Sequence, residues 1–90
     1  MTRPFLRNKG EVLEVIHASL SPYVGRLMAS TAAVAHCRTL GIDGDQIDGH
    51  QIEQLLEKLG LGLVIFVGKD KTETVISSIR RGVEALGDQP

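Results

Sequence analysis

The sequence predicts an all-α domain of four to five short helices, and three observations predict it. Apolar residues recur at three- and four-residue spacing in four separate stretches. Start signals of the form Asx followed three places later by Glu or Gln recur at Asn8 and Glu11, Asp48 and Gln51, and Asp70 and Glu73. Only one run, Leu63 to Val67, has clear strand character, and no second strand is evident to pair with it.

Taken in order, Val12, Leu13, Ile16 and Leu20 predict a helix from about Lys9 to Leu20. Ser21 and Pro22 read as the next start, a capping hydroxyl followed by a preset φ angle, for a second helix from Pro22 to about Leu40. Between Arg26 and Arg38 that helix holds no Asp, Glu, Lys or Arg, so it is expected to be the central, most buried element. Gly25, Ala29, Ala33 and Cys37 fall every fourth residue along it. Small side chains in such a row let another backbone approach closely, either inside the domain or from a second subunit.

A Gly- and Asp-rich loop, Gly41 to Gly49, leads to a third helix from Gly49 to Leu59, with Ile52, Leu55, Leu56 and Leu59 on one stripe. Gly60 suits its left-handed C-terminal cap. A last helix is expected from Lys71 to Leu86, with Val75, Ile76, Ile79, Val83 and Leu86 on one face. The run LGLVIFV between them has three readings: a short buried helix, a strand paired with Pro4 to Arg7, or a strand at 63–67 paired with its own copy across a dimer. One domain, residues 9–86, lies between a loose tail at 1–8 and a loose end at 87–90. No internal repeat and no low-complexity tract is evident.

Ninety residues support a single core, and with two Phe, one Tyr and no Trp that core must be aliphatic. Ten basic residues against eleven acidic ones give no overall positive field for phosphate backbones, so nucleic acid is a disfavoured partner. Lone Cys37 in a small-residue run fits a reducing cytosol, and no segment has the ~18–20 apolar residues of a membrane span. The expected location is cytoplasmic, with no membrane partner.

Candidate chemistry is sparse. VGKDKTE lacks the glycine spacing of a phosphate-binding loop and places Asp70 where phosphate would sit. Asp43, Asp45 and Asp48 fall out of register with a calcium loop, since the fifth position from Asp43 is Ile47. His17, His36, His50 and Cys37 show no zinc-ligand spacing. No nucleophile and base pair can be argued, so neither an enzyme nor a cofactor nor a metal is expected.

The expectation is a small protein-interaction, adaptor or regulatory module, homo-oligomeric or bound to another protein. Its candidate interface is Leu61, Leu63, Ile65 and Val67, or the seam Gly25, Ala29, Ala33 and Cys37. The alternative is a dimeric DNA-binding regulator using Lys69, Lys71, Arg80 and Arg81, since a dimer doubles a small basic patch. Residues 40–59 also have a helix-turn-helix layout, but Glu53 and Glu57 on the exposed face would meet phosphates. The phrases IDGHQIEQLLEKLGLG and GKDKTETVISSIRRGVEAL resemble, over roughly half of the chain, parts of sterile-alpha-motif domains. The shared glycines and leucines are common to small helical domains and the second helix is longer than that pattern, so no residue role is carried over.

Overall fold

A computed structural model describes residues 6–86. Its elements are β1 (Leu6–Asn8), α1 (Lys9–Val24), α2 (Arg26–Thr39), β2 (Gln46–Asp48) and α3 (Gly49–Ala85). The fold is mostly helical, as expected, but with three helices and a two-stranded antiparallel sheet rather than four to five helices. The expected helices at 49–59 and 71–86 belong to one continuous element, α3. Its single interruption is Gly68, at φ 83° and ψ 171°, which divides it into arms 49–67 and 69–85.

Several expected boundaries move, each for a local reason. Gly60 lies inside α3, where a β-carbon added to it would reach Thr72 and Ile76 of the second arm at ordinary contact distance. The left-handed backbone falls at Gly68 instead, where only glycine avoids strain. Helix α1 runs through Pro22 to Val24, because proline in the last turn forfeits only one intrahelical bond. The Ser21 hydroxyl caps nothing; it donates to the His17 carbonyl at 2.6 Å. The break falls three residues after Pro22, at Gly25, with φ 87° and ψ 159°. Leu6–Asn8, expected in a loose tail, form β1, whereas residues 1–5 and 87–90 lie outside the described residues.

Leu63 to Val67 is helical and makes neither of the expected strand pairings. The strand that pairs with the N-terminal segment is β2, from within the Gly- and Asp-rich loop, where Ile47 is fully buried. Two cap predictions hold in detail. Asn8 Oδ1 accepts from the Glu11 amide at 3.0 Å, and Asp48 with Gln51 forms a reciprocal capping box at 2.7 and 3.0 Å.

Contrary to expectation, the chain contains an internal repeat: strand, helix, glycine elbow, helix, twice. The elbows are Tyr23-Val24-Gly25-Arg26 and Phe66-Val67-Gly68-Lys69, with nearly the same glycine dihedrals. Thirteen, nine and five residues before each glycine stand Val12, Ile16 and Leu20 in one half and Leu55, Leu59 and Leu63 in the other, all buried. Four residues after each stand buried Ala29 and Thr72. The sheet register, Leu6↔Asp48, Arg7↔Ile47 and Asn8↔Gln46, is symmetric about its central pair. The two halves thus repeat the same order of elements, the second with three more residues between its strand and its glycine.

Each half folds back on itself at its glycine. In the first, Lys9 Nζ donates to the Ile42 carbonyl at 3.3 Å, and in the second Arg80 reaches Glu53. Arg7 Nε ties β1 to the end of α3 through the Val83 carbonyl at 3.0 Å. The result is a bundle with principal extents of 39 × 22 × 18 Å, with the sheet at one end and both elbows at the other. The core is aliphatic, around Val12, Ile16, Ile47, Leu55, Leu56 and Ile79. Val15 sits so close to Gly82 that a Cβ there would lie 2.7 Å from its Cγ1, which explains glycine within that helical turn.

Candidate interaction surface

Helix α3 carries more apolar residues around residues 59–67 than one stripe can hide. An α-helix packed on one side buries about three to four residues per two turns. Leu59 and Leu63 take the inward positions and Val67 is half-buried. Leu61 and Ile65, one turn apart, are left 65% and 83% exposed, with Val64 and Phe66 beside them. The expectation that the whole run is buried is therefore corrected: helix, not strand, decides which of its side chains reach solvent.

Helix α2 departs from expectation for the complementary reason. Its inward stripe is the seam Ala29, Ala33 and Cys37, which is buried in the core of the chain itself, with Gly25 at the elbow before it. Small residues let α2 pack closely on its neighbours, but they also leave its larger side chains outside. Leu27, Met28 and Val34 are exposed, so α2 is not the central buried helix. Of the eight expected interface residues, Leu61 and Ile65 stand fully on the surface, while Ala29, Ala33, Cys37 and Leu63 are buried.

Six of the eight exposed large apolar side chains lie within four residues of Gly25 or Gly68: Tyr23, Leu27, Met28, Val64, Ile65 and Phe66. They therefore gather at the elbow end of the bundle. Between the elbows runs an apolar groove of about 230 Å³, lined by Leu20, Val24, Met28, Leu63 and Phe66 among others, with His36 its one ionisable group. A separate, larger groove of about 580 Å³ lies between the arms of α3 and is rimmed by Glu53, Glu57, Glu73, Lys69 and Arg80.

The four candidate nucleic-acid contacts do not form an unbroken basic patch. Arg80 is held by Glu53 through Nη2–Oε1 at 2.6 Å and Nε–Oε2 at 3.2 Å. That hydrogen bond moves the Glu53 carboxyl below its ordinary range and the Arg80 guanidinium further up. Arg81 shares a shallow depression with Asp70 and Glu73, and Lys69 faces three glutamates across the larger groove. Phosphates approaching these cations would meet carboxylates as well.

Three further polar groups named from the sequence have these surroundings. Cys37 is a free, buried thiol whose burial pushes its pKa up, Lys9 opposing this weakly, so little of it is nucleophilic thiolate near neutral pH. Asp45 offers its carbonyl to the Lys9 amide at 2.8 Å, and Asp48 caps α3. Among the described residues no group of three or more His, Cys, Asp or Glu side chains is placed to hold a metal ion, and no helix is long and apolar enough to cross a membrane.

No protein-family model, curated protein or solved structure matches this chain.

The sequence reading missed Tyr23, Leu27, Met28 and Phe66 as surface residues. A signal was there: two aromatic-Val-Gly-basic tetrapeptides, each after an apolar helix, mark two equivalent turns that must emerge from the bundle.

Proposed function

We propose that this chain is a small non-catalytic interaction module that self-associates through the outer face of the first arm of α3, centred on Leu61 and Ile65. The observation that carries the reading is the exposure of these two large aliphatic side chains, one turn apart on a regular helix. A twofold arrangement brings the pair on one copy against the same pair on another.

Magnitudes set how strong this association is. Burying Leu61, Val64 and Ile65 from both copies yields on the order of 6–9 kcal/mol, of the same order as the ~4–15 kcal/mol lost on association. A weak, concentration-dependent dimer follows, suited to a regulatory or adaptor role in which association responds to local abundance. The alternative of a DNA-binding regulator is less supported, since Arg80 is engaged by Glu53 and carboxylates flank the other cations.

The test is solution molar mass by light scattering over a dilution series, on the parent chain and on Ile65→Lys. The parent is expected to shift from monomer toward dimer with concentration. Because Ile65 is solvent-exposed, the variant is expected to stay folded and monomeric throughout. A parent that stays monomeric at all concentrations, or a variant that dimerises equally well, removes Ile65 from the function.

A further inference from the structure

The two elbows present the same chemistry twice at one end of the bundle. Each offers an exposed aromatic ring two residues before its glycine, Tyr23 and Phe66, and an exposed cation directly after it, Arg26 and Lys69. Leu27, 81% exposed, and Met28 extend the first elbow beyond the ring. Both elbows flank one groove, which Val24 and Met28 of the first and Phe66 of the second line together.

Charge at this end runs against that of the whole chain. Within four residues of either glycine stand three cations, Arg26, Lys69 and Lys71, against one anion, Asp70, while the chain as a whole has a net charge of −1. The next acid, Glu73, lies a further turn along α3 and faces the groove between its arms. Nothing charged lies between Lys58 and the second elbow on the incoming arm, nor between His17 and the first.

We propose that the elbow end is a peripheral docking tip for an anionic lipid surface, with Tyr23, Leu27, Met28 and Phe66 inserted at the headgroup level and Arg26 and Lys71, which line no groove with a glutamate, against the phosphates. This goes beyond self-association along α3 and does not depend on it. A surface is a partner that two like projections at one end of a bundle can meet together. Aromatic rings with a basic surround are favoured at the boundary between headgroups and acyl chains. A second copy packed end to end is disfavoured here, because it would set six cations against only two Asp70 carboxylates. The lack of a spanning helix, which led the sequence reading to expect no membrane partner, does not bear on a contact of this depth.

Two conditions separate this contact from non-specific adhesion: it requires anionic lipid, and it requires the apolar tip. Co-sedimentation of the full chain with vesicles of phosphatidylcholine alone, and with vesicles also containing phosphatidylserine, tests both. Binding is expected only to the anionic vesicles, weakening as salt rises. Arg26→Gln/Lys71→Gln is expected to weaken it about thirty-fold, and Leu27→Gln/Phe66→Gln to abolish it while leaving the helical circular dichroism unchanged. All four positions are exposed, so both variants fold.

Three outcomes overturn the proposal: no sedimentation with anionic vesicles at low salt, equal binding to neutral and anionic vesicles, or full binding by Leu27→Gln/Phe66→Gln. Light scattering on that last variant keeps the two readings apart. Unchanged self-association with lost vesicle binding supports the tip, whereas lost self-association with intact vesicle binding shows that these residues serve contact between copies instead.

Discussion

The two ends of this bundle solve the same problem, how to turn a chain back on itself, with opposite chemistry. At the sheet end, polar groups are consumed by the fold: Asn8 and Asp48 cap helices, Lys9 and Arg7 bind backbone carbonyls, and Ile42 and Ile47 fill the space beneath. At the elbow end the turns are made at glycines, the second joined by a bond from the Thr72 hydroxyl to the Gly68 carbonyl at 2.7 Å, and large apolar side chains stand in solvent. The sheet end is specified by hydrogen bonds that determine register. The elbow end is specified by two backbone conformations and keeps its side chains free for contact. Stability should therefore be sensitive to side chains at the first end and to glycine at the second.

The largest effect expected is at the sheet end. Ile47→Ala, at the centre of the ladder and fully buried, should destabilise by about 3 kcal/mol and lower Tm by roughly 15 °C. Ile65→Ala, at the elbow end, should change Tm by less than about 3 °C. Similar losses at the two sites would erase the contrast between the ends.

Next come the elbows themselves. Gly25→Ala and Gly68→Ala each force a β-carbon into backbone near φ 85°, and each should cost about 2 kcal/mol although open space surrounds both positions. Chemical denaturation of the two variants also tests the repeat. Equal losses are expected, and a harmless alanine at either site would mean that its elbow relaxes into continuous helix.

Caps rank third. Asp48→Ala/Gln51→Ala, which removes both bonds of the capping box, should cost about 1 kcal/mol and more than Asn8→Ala, which removes one bond. The same denaturation measurement ranks them, and the reverse order would show that β1 depends on Asn8 beyond its cap.

The smallest effect is electrostatic. The pair between Arg80 and Glu53 is largely exposed, so Glu53→Gln should cost no more than about 0.5 kcal/mol at neutral pH. Because the folded-state pKa of Glu53 is depressed, the pair contributes above the ordinary glutamate range and is lost as pH falls through the folded value. Parent and variant melting curves should converge in acid, and curves that stay parallel would show that the pair contributes nothing.

Much of the fold was legible along the chain because its signals are local. Helix starts at Asn8 and Asp48 follow from a side chain reaching an amide three residues on, and the stripe Ile52, Leu55, Leu56 and Leu59 follows from a period of 3.6. The candidate surface was half legible. Leu61 and Ile65 were named within a run whose buried and exposed members no periodicity could separate, since nearly every position in it is apolar. Tyr23, Leu27 and Phe66 were not named, because an exposed apolar residue and a core residue look alike until the neighbouring helices are in place.

By itself, then, the amino-acid order determined a helical chain with an aliphatic core, its two capped helix starts, and an excess of apolar side chains over what that core could hold. Tertiary structure alone decided three further matters. It chose Gly25 and Gly68, from ten glycines, as the elbows, because at those two a positive φ with an extended ψ separates two helical segments and lets them fold back, whereas Gly41, also at positive φ, follows α2. It paired a segment expected to be a tail with one expected to be a loop, because Arg7 and Ile47, forty residues apart, meet only when the two halves close on each other. It turned the small-residue seam of α2 inward, because close approach of helices favours Ala29, Ala33 and Cys37 at the contact and leaves larger neighbours such as Leu27 and Met28 facing water.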